Sequence, residues 1–185
     1  ISCIKTDGTL WTWGSNSYGQ LGDNTTTRKS SPIQTVAGGT NWTTVISGDN
    51  SVLGLKSDGS LWGFGKNDSG QLGDNTATNR SSPVQNIYGT SWSQVAVGGN
   101  HAAGIKNDGT LWLWGSNSDG RLGDNTLVNK SSPVQTVAGG TDWSQVSCGY
   151  SMTAAIKKDG TLWVWGNNIN GELGDGTTIH RSSPV

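Results

Sequence analysis

The residues of this 185-residue chain with chemistry to offer are its acids, its two histidines and its two cysteines. The acids are ordered. Asp7, Asp58, Asp108 and Asp159 each precede a glycine, and Asp23, Asp74, Asp124 and Asp175 each follow Leu-Gly. Carboxylates at fixed spacing are what general acid–base chemistry requires. Both sets, however, recur in every copy of a repeat, and a group that every copy carries answers a need that every copy has. Asp before Gly is turn chemistry, because the glycine accepts positive φ. The second set is placed to accept backbone N–H groups of the loop it opens. Asn117-Ser118-Asp119-Gly120 begins like a calcium loop but lacks the further oxygen ligands and the closing Glu.

The rarer groups offer no constellation. Cys3 stands where other copies have Gly54, Gly104 and Ala155, which reads as a small buried residue, and Cys148 replaces Ser47 and Val97. Neither has a metal-ligating neighbour, so neither zinc nor a disulfide is expected. His101 replaces Ser51 and aligns with Met152, while His180 lies in a long loop; no Ser-His-Asp or Cys-His pairing follows. The expectation is a protein without catalytic residues, metal or cofactor, and not an enzyme.

What positions these residues is a period of 51, 50 and 51 residues, measured between the four Asp-Gly pairs. The same period carries Trp13-Gly14, Phe64-Gly65, Trp114-Gly115 and Trp165-Gly166, and Ser-Ser-Pro ending at Pro32, Pro83, Pro133 and Pro184. Four short strands fit one period. In the third copy they are Ala102 to Lys106, Thr110 to Gly115, Pro133 to Val137 and Trp143 to Cys148, with a long polar loop from Ser116 to Ser132. Trp112 and Trp114 share one face of the second strand and Leu111 and Leu113 the other, as in a sheet covered on both sides. Four antiparallel strands per unit of about 50 residues make the blade of an all-β propeller. The repeats run approximately 1–51, 52–101, 102–152 and 153–185, the first and last incomplete.

The segment from Gly104 to Asp124, with its Trp-Gly-x-Asn-x-x-Gly-x-Leu-Gly pattern, resembles the RCC1 (regulator of chromosome condensation) repeat. The pattern occurs four times, with Phe64 in place of its Trp in the second copy, and so covers essentially the whole chain. The resemblance implies a propeller, usually of seven blades. The family's Cys-Gly-x-x-His element is whole in no copy, since Cys148-Gly149 lacks the His and His101 lacks the Cys. The Asp-Gly-Thr-Leu-Trp form is more similar to bacterial, surface-exposed and phage-encoded versions than to the chromatin protein, which argues against Ran nucleotide exchange.

Composition agrees and excludes. Glu172 is the only glutamate, charged residues are 14%, and Trp occurs 10 times, so helices are not expected. The net charge of -1 removes the footprint of a nucleic-acid binder, and no apolar run is long enough for membrane insertion. Ile1 aligns with Val52 in mid-repeat, and 18 more residues would complete four repeats. Three expectations follow: the remaining blades come from the same polypeptide, another chain closes the ring, or four blades close alone. The first is favoured.

Binding sites should use positions where copies differ. These are Asp49-Asn50-Ser51, Asn100-His101 and Tyr150-Ser151-Met152 after the fourth strand, and Tyr18, Asp68, Asp119 and Asn170 after the Trp-Gly strand. The loop tips Thr27-Arg28, Thr78-Asn79, Val128-Asn129 and Ile179-His180 differ also. Lys29, Arg80, Lys130 and Arg181 share one phase and read as solvated charges balanced by acids. The leading expectation is an interaction or structural module of a larger secreted, cell-surface or virion-tail protein, with a protein partner. The alternatives are a regulator of an enzyme or small GTPase, and a glycan-binding adhesin. The last needs Trp42, Trp92 and Trp143 exposed.

Overall fold

In a computed structural model describing residues 1–185, each Asp-Gly pair closes a hairpin. Asp108 Oδ1 accepts the Thr110 amide at 3.0 Å and its hydroxyl at 2.7 Å, while Gly109 takes φ of 81°. That leaves the Thr110 hydroxyl oxygen to accept the indole N–H of Trp112 at 2.8 Å. The turn thereby fixes the first aromatic of the returning strand.

Fourteen strands result: β1 (Ser2–Ile4), β2 (Leu10–Gly14), β3 (Lys29–Gln34), β4 (Trp42–Ser47), β5 (Ser51–Lys56), β6 (Leu61–Gly65), β7 (Arg80–Gln85), β8 (Trp92–Val97), β9 (His101–Lys106), β10 (Leu111–Gly115), β11 (Lys130–Gln135), β12 (Trp143–Cys148), β13 (Met152–Lys157) and β14 (Leu162–Gly166). They form four antiparallel sheets in the orders β1-β2-β3, β4-β5-β6-β7, β8-β9-β10-β11 and β12-β13-β14. The architecture is an arc of propeller blades. β4, β8 and β12 approach one another at the inner edge, and β3, β7 and β11 form outer edges.

The structure moves two features of the sequence reading. Trp143 to Cys148 is the last strand of the third repeat, yet it pairs with β13 of the fourth. Repeat and blade are therefore out of phase by one strand, which stitches each blade to the preceding repeat. The Pro133 strand begins at Lys130, because a bulge between Leu113 and Gly115 lets Gly115 pair with Lys130. Pro133 thus sits inside its strand rather than at the start, tolerated because β11 is an edge.

The core is three seams rather than one centre. Leu10 of the first sheet packs with Trp42, Val52 and Phe64 of the second. Leu53, Leu61 and Leu72 meet Trp92, Ala102 and Trp114; Leu111, Leu113 and Leu122 meet Trp143, Ala155 and Trp165. Burying a leucine of this kind stabilises by about 1.5–3 kcal/mol. The arc is open at both ends. Leu162, counterpart of the buried Leu10, Leu61 and Leu111, is 62% exposed, so the four sheets do not close on themselves.

Candidate interaction face

Antiparallel pairing puts the β4–β5 and β6–β7 loops, and their counterparts, at one end of every sheet, here called the upper face. The Asp-Gly turns and the Gly-Gly-Thr connections lie at the lower end. Each long upper loop is built around a buried asparagine: Asn16, Asn67, Asn117 and Asn168. Asn117 Nδ2 donates to Asp124 Oδ1 at 2.9 Å and to the Thr126 carbonyl at 3.0 Å, and its Oδ1 accepts the Leu122 amide at 2.9 Å. Asp124 Oδ1 also accepts the Thr126 amide, as expected of the second acid set. Asn24, Asn75 and Asn125 take positive φ near 60°, with Gly176 in the same place at 77°. Their amides reach the next sheet: Asn75 N donates to the Ser131 carbonyl at 2.9 Å.

The phased basic residues are partners of these loops. Arg80 meets Asp74 at 2.6 Å and Arg181 meets Asp175 at 2.6 Å, while Lys29 and Lys130 approach Asp23 and Asp124 at 3.4 and 3.5 Å. Burial alone would raise Asp74, but the Thr76 hydroxyl, the Arg80 guanidinium and the Asn67 amide outweigh it and hold the carboxyl below its usual range. Asp175, gripped by the Thr177 hydroxyl and then Arg181, is held at about 2. The loop tips differ less than their letters: Asn79 Oδ1, Asn129 Oδ1 and His180 Nδ1 each accept the amide of the hub asparagine, at 2.7–2.9 Å.

The structure gathers most of the varying positions on the upper face. Tyr150 is 68% exposed; Asp49, Asp68, Tyr18 and Asn170 are exposed, and Asp119, Ser151 and Met152 half-buried. Asp49, Gly98, Gly99 and Tyr150 border a cleft of about 350 Å³ at the inner ends of the sheets. Two positions are corrected. His101 and Ser51 are buried, so their side chains cannot meet a partner. Their slot faces the next blade: His101 Nε2 lies 3.0 Å from Thr153 Oγ1, and burial first, then the Arg121 charge, hold the imidazole down to about 3. Asn50 and Asn100 are half-buried seam acceptors, taking Gln20 Nε2 at 3.2 Å and Lys66 Nζ at 3.1 Å.

Lys66 escaped the sequence reading. Its phase holds Ser15, Ser116 and Asn167 elsewhere, which was the available signal. The ammonium lies 3.3 Å from Asp68 and 5.8 Å from the centre of the Tyr18 ring, besides its bond to Asn100, so one side chain ties three sheets together. A second missed set lies at the lower end. Lys5, Lys56, Lys106 and Lys157 stack on the indoles of Trp11, Trp62, Trp112 and Trp163 at 3.6–5.3 Å. Trp42, Trp92 and Trp143 are only 2–3% exposed, which removes the aromatic platform of the adhesin reading. Cys3 is half-buried rather than buried, on the first sheet; Cys148, on the fourth, is pushed up to about 12 by burial. Both thiols are free.

A family model for the regulator of chromosome condensation (RCC1) repeat matches residues 7–55, 58–105 and 108–156. The ultraviolet-B receptor UVR8 of Arabidopsis thaliana is 30% identical over 182 residues, 98% of this chain and 30% of UVR8. Among solved structures, human WBSCR16 superposes with a TM-score of 0.83 at 27% identity, over the whole chain and 49% of WBSCR16. Yeast RCC1 (Prp20), solved bound to Kap60, gives 0.84 at 20% identity, over the whole chain and 46% of that protein. The chain thus spans about half of each of these structures and less than a third of UVR8.

Proposed function

The chain belongs to the RCC1 repeat family, and from that premise we propose that it is a non-catalytic module that binds a protein partner through its upper face. The observation that carries the reading is the collection of Tyr18, Lys66, Asp68, Asp119, Tyr150 and Asn170 at one end of rigid sheets. Loops on a rigid scaffold are where binding residues concentrate, and exposed tyrosines are favoured anchors. A structural relative held in complex with another protein, yeast RCC1 with Kap60, supports the kind of partner. The recurring carboxylates are engaged in turns and loop hubs, which supports the non-catalytic reading. We place the module in a larger secreted, cell-surface or virion-associated protein; the low charge and Ser/Thr/Asn-rich loops support that setting.

A photocrosslinking side chain at position 150 tests the face, with one at Val137, exposed at the lower end, as control. Crosslinks to a protein from extracts of the source are expected from position 150 alone. Equal labelling from both ends counts against the proposal. The regulatory alternative rests on the C. elegans X-linked retinitis pigmentosa GTPase regulator homolog, 38% identical over 80 residues. Faster nucleotide exchange on a small GTPase would favour it.

A further inference from the structure

One carboxylate of the chain is unused. Of its 13 acids, all but Asp49 meet a basic side chain, a hydroxyl or an amide within the chain. Asp49 is exposed on the β4–β5 loop of the second sheet and borders the cleft of about 350 Å³ described above. Tyr150, on the opposite side of that cleft, is unused in the same sense. Lys66 lies 5.8 Å from the ring centre of Tyr18 and Lys106 5.5 Å from that of Tyr88, whereas Tyr150, 68% exposed, carries no cation. Its ring rests on Gly99, where a Cβ would stand 2.9 Å from the Tyr150 Cδ2 atom, so the third sheet fixes where it lies. The cleft therefore belongs to the seams joining the second, third and fourth sheets. Gly98 and Gly149 at its wall have backbone carbonyls that accept no hydrogen bond.

The molecule itself shows what fits between a carboxylate and an aromatic ring. Lys66 lies 3.3 Å from Asp68 besides its contact with Tyr18, and Lys157 lies 3.4 Å from Asp142 and 5.0 Å from the Trp143 ring centre. We propose that the cleft takes an arginine side chain of the protein partner, its guanidinium paired with Asp49 and its plane against Tyr150. This deepens the reading of the upper face as a partner-binding face and rests on it. The occupant is named by charge: a free carboxylate, a free ring face and two free carbonyls converge on one cleft, and no basic residue of this chain borders it. Arginine fits better than lysine, because its planar fork stacks on a ring while its N–H groups bond carboxylate and carbonyl oxygens.

Acetyl-arginine amide and its uncharged isostere, acetyl-citrulline amide, test the cleft when titrated at low salt against the 185-residue chain. In amide proton–nitrogen NMR spectra the arginine compound should shift the Gly99 and Tyr150 signals saturably. It should bind about 10-fold more tightly than the citrulline compound, as one exposed ion pair and one cation–π contact together give. Asp49→Asn should remove most of that difference, and Tyr150→Leu should weaken arginine binding about 3-fold. Both side chains are exposed, and far-UV circular dichroism checks that each variant folds. Equal binding of the two compounds overturns the proposal, as does the absence of saturable shifts at Gly99 and Tyr150. So does an Asp49→Asn variant that binds arginine amide as the parent does. Crosslinking from position 150 without arginine binding would keep the partner face and sink this contact alone. Arginine binding without crosslinking would keep the cation site and sink the partner face.

Discussion

His101 and Thr153 meet across the seam between the third and fourth sheets, the imidazole Nε2 3.0 Å from the hydroxyl oxygen. That hydroxyl in turn donates to the Arg121 carbonyl at 2.8 Å, so a histidine, a threonine and a backbone carbonyl form a buried polar chain beside an apolar seam. Three varying residues of the slot, Ser51, His101 and Met152, record three ways of filling the gap between blades.

The first prediction is a pH dependence of stability. Folded His101 is held down to about 3, chiefly by burial, against 6.5 when free. Below pH 6.5 the unfolded chain takes up a proton that the folded chain refuses. The contribution is therefore whole above pH 6.5 and is lost as pH falls toward 3, by at most about 1.4 kcal/mol per pH unit. Urea unfolding between neutral pH and about pH 5.5, where free carboxyls are still almost wholly ionised, should show the slope. His101→Ser, the residue of the second sheet at this slot, should flatten it.

Loss of a loop hub should be costly. Asn117→Ala leaves the buried Leu122 amide and the half-buried Thr126 carbonyl without their partner. A loss of about 2–4 kcal/mol is expected from chemical denaturation. Val128→Ala, at the exposed tip of the same loop, should stay within about 0.5 kcal/mol.

An aromatic roof separates two glycines that share a backbone. Gly123 and Gly174 have φ of 65° and 66°, so alanine at either carries the same backbone strain, about 1–3 kcal/mol. At Gly123 the new methyl also meets the Trp165 indole, adding about 1–3 kcal/mol. Thermal melts of the dilute chain should therefore rank Gly123→Ala well below Gly174→Ala. Equal losses would mean that the ring does not close over Gly123.

Tyr150→Ala should separate binding from folding. The side chain is 68% exposed, so the unfolding midpoint should move by no more than about 0.5 kcal/mol allows. Capture of the partner identified by crosslinking should fall at least ~10-fold, the loss that removing a tyrosine anchor brings. A partner that binds the variant as well as the parent would move the contact to another part of the surface.

Much of this was legible in the residues. Asp108-Gly109 announces its turn because the preference for positive φ is a property of glycine itself, and the Asp side chain reaches only two residues onward. Lys66 was harder to see, since a lysine in place of serine states nothing until Tyr18, Asp68 and Asn100 are found around it. His101 misled for the converse reason. It varies between copies as a binding residue would, yet its neighbours are Thr153 and Arg121 of a packed seam.

By itself, the sequence determined the all-β class, the four repeats and the positions of their turns. Period, strand alternation and turn chemistry act over a few residues and are written identically in each copy. The tertiary structure decided which copy each strand joins, as with Trp143 to Cys148 pairing into the fourth sheet, and which side chains reach solvent. Leu111 and Leu162 occupy the same place in the repeat, but one is buried and the other bare. Burial depends on whether a neighbouring sheet, some 50 residues away in the repeat, is there to cover the side chain, and no local pattern carries that information.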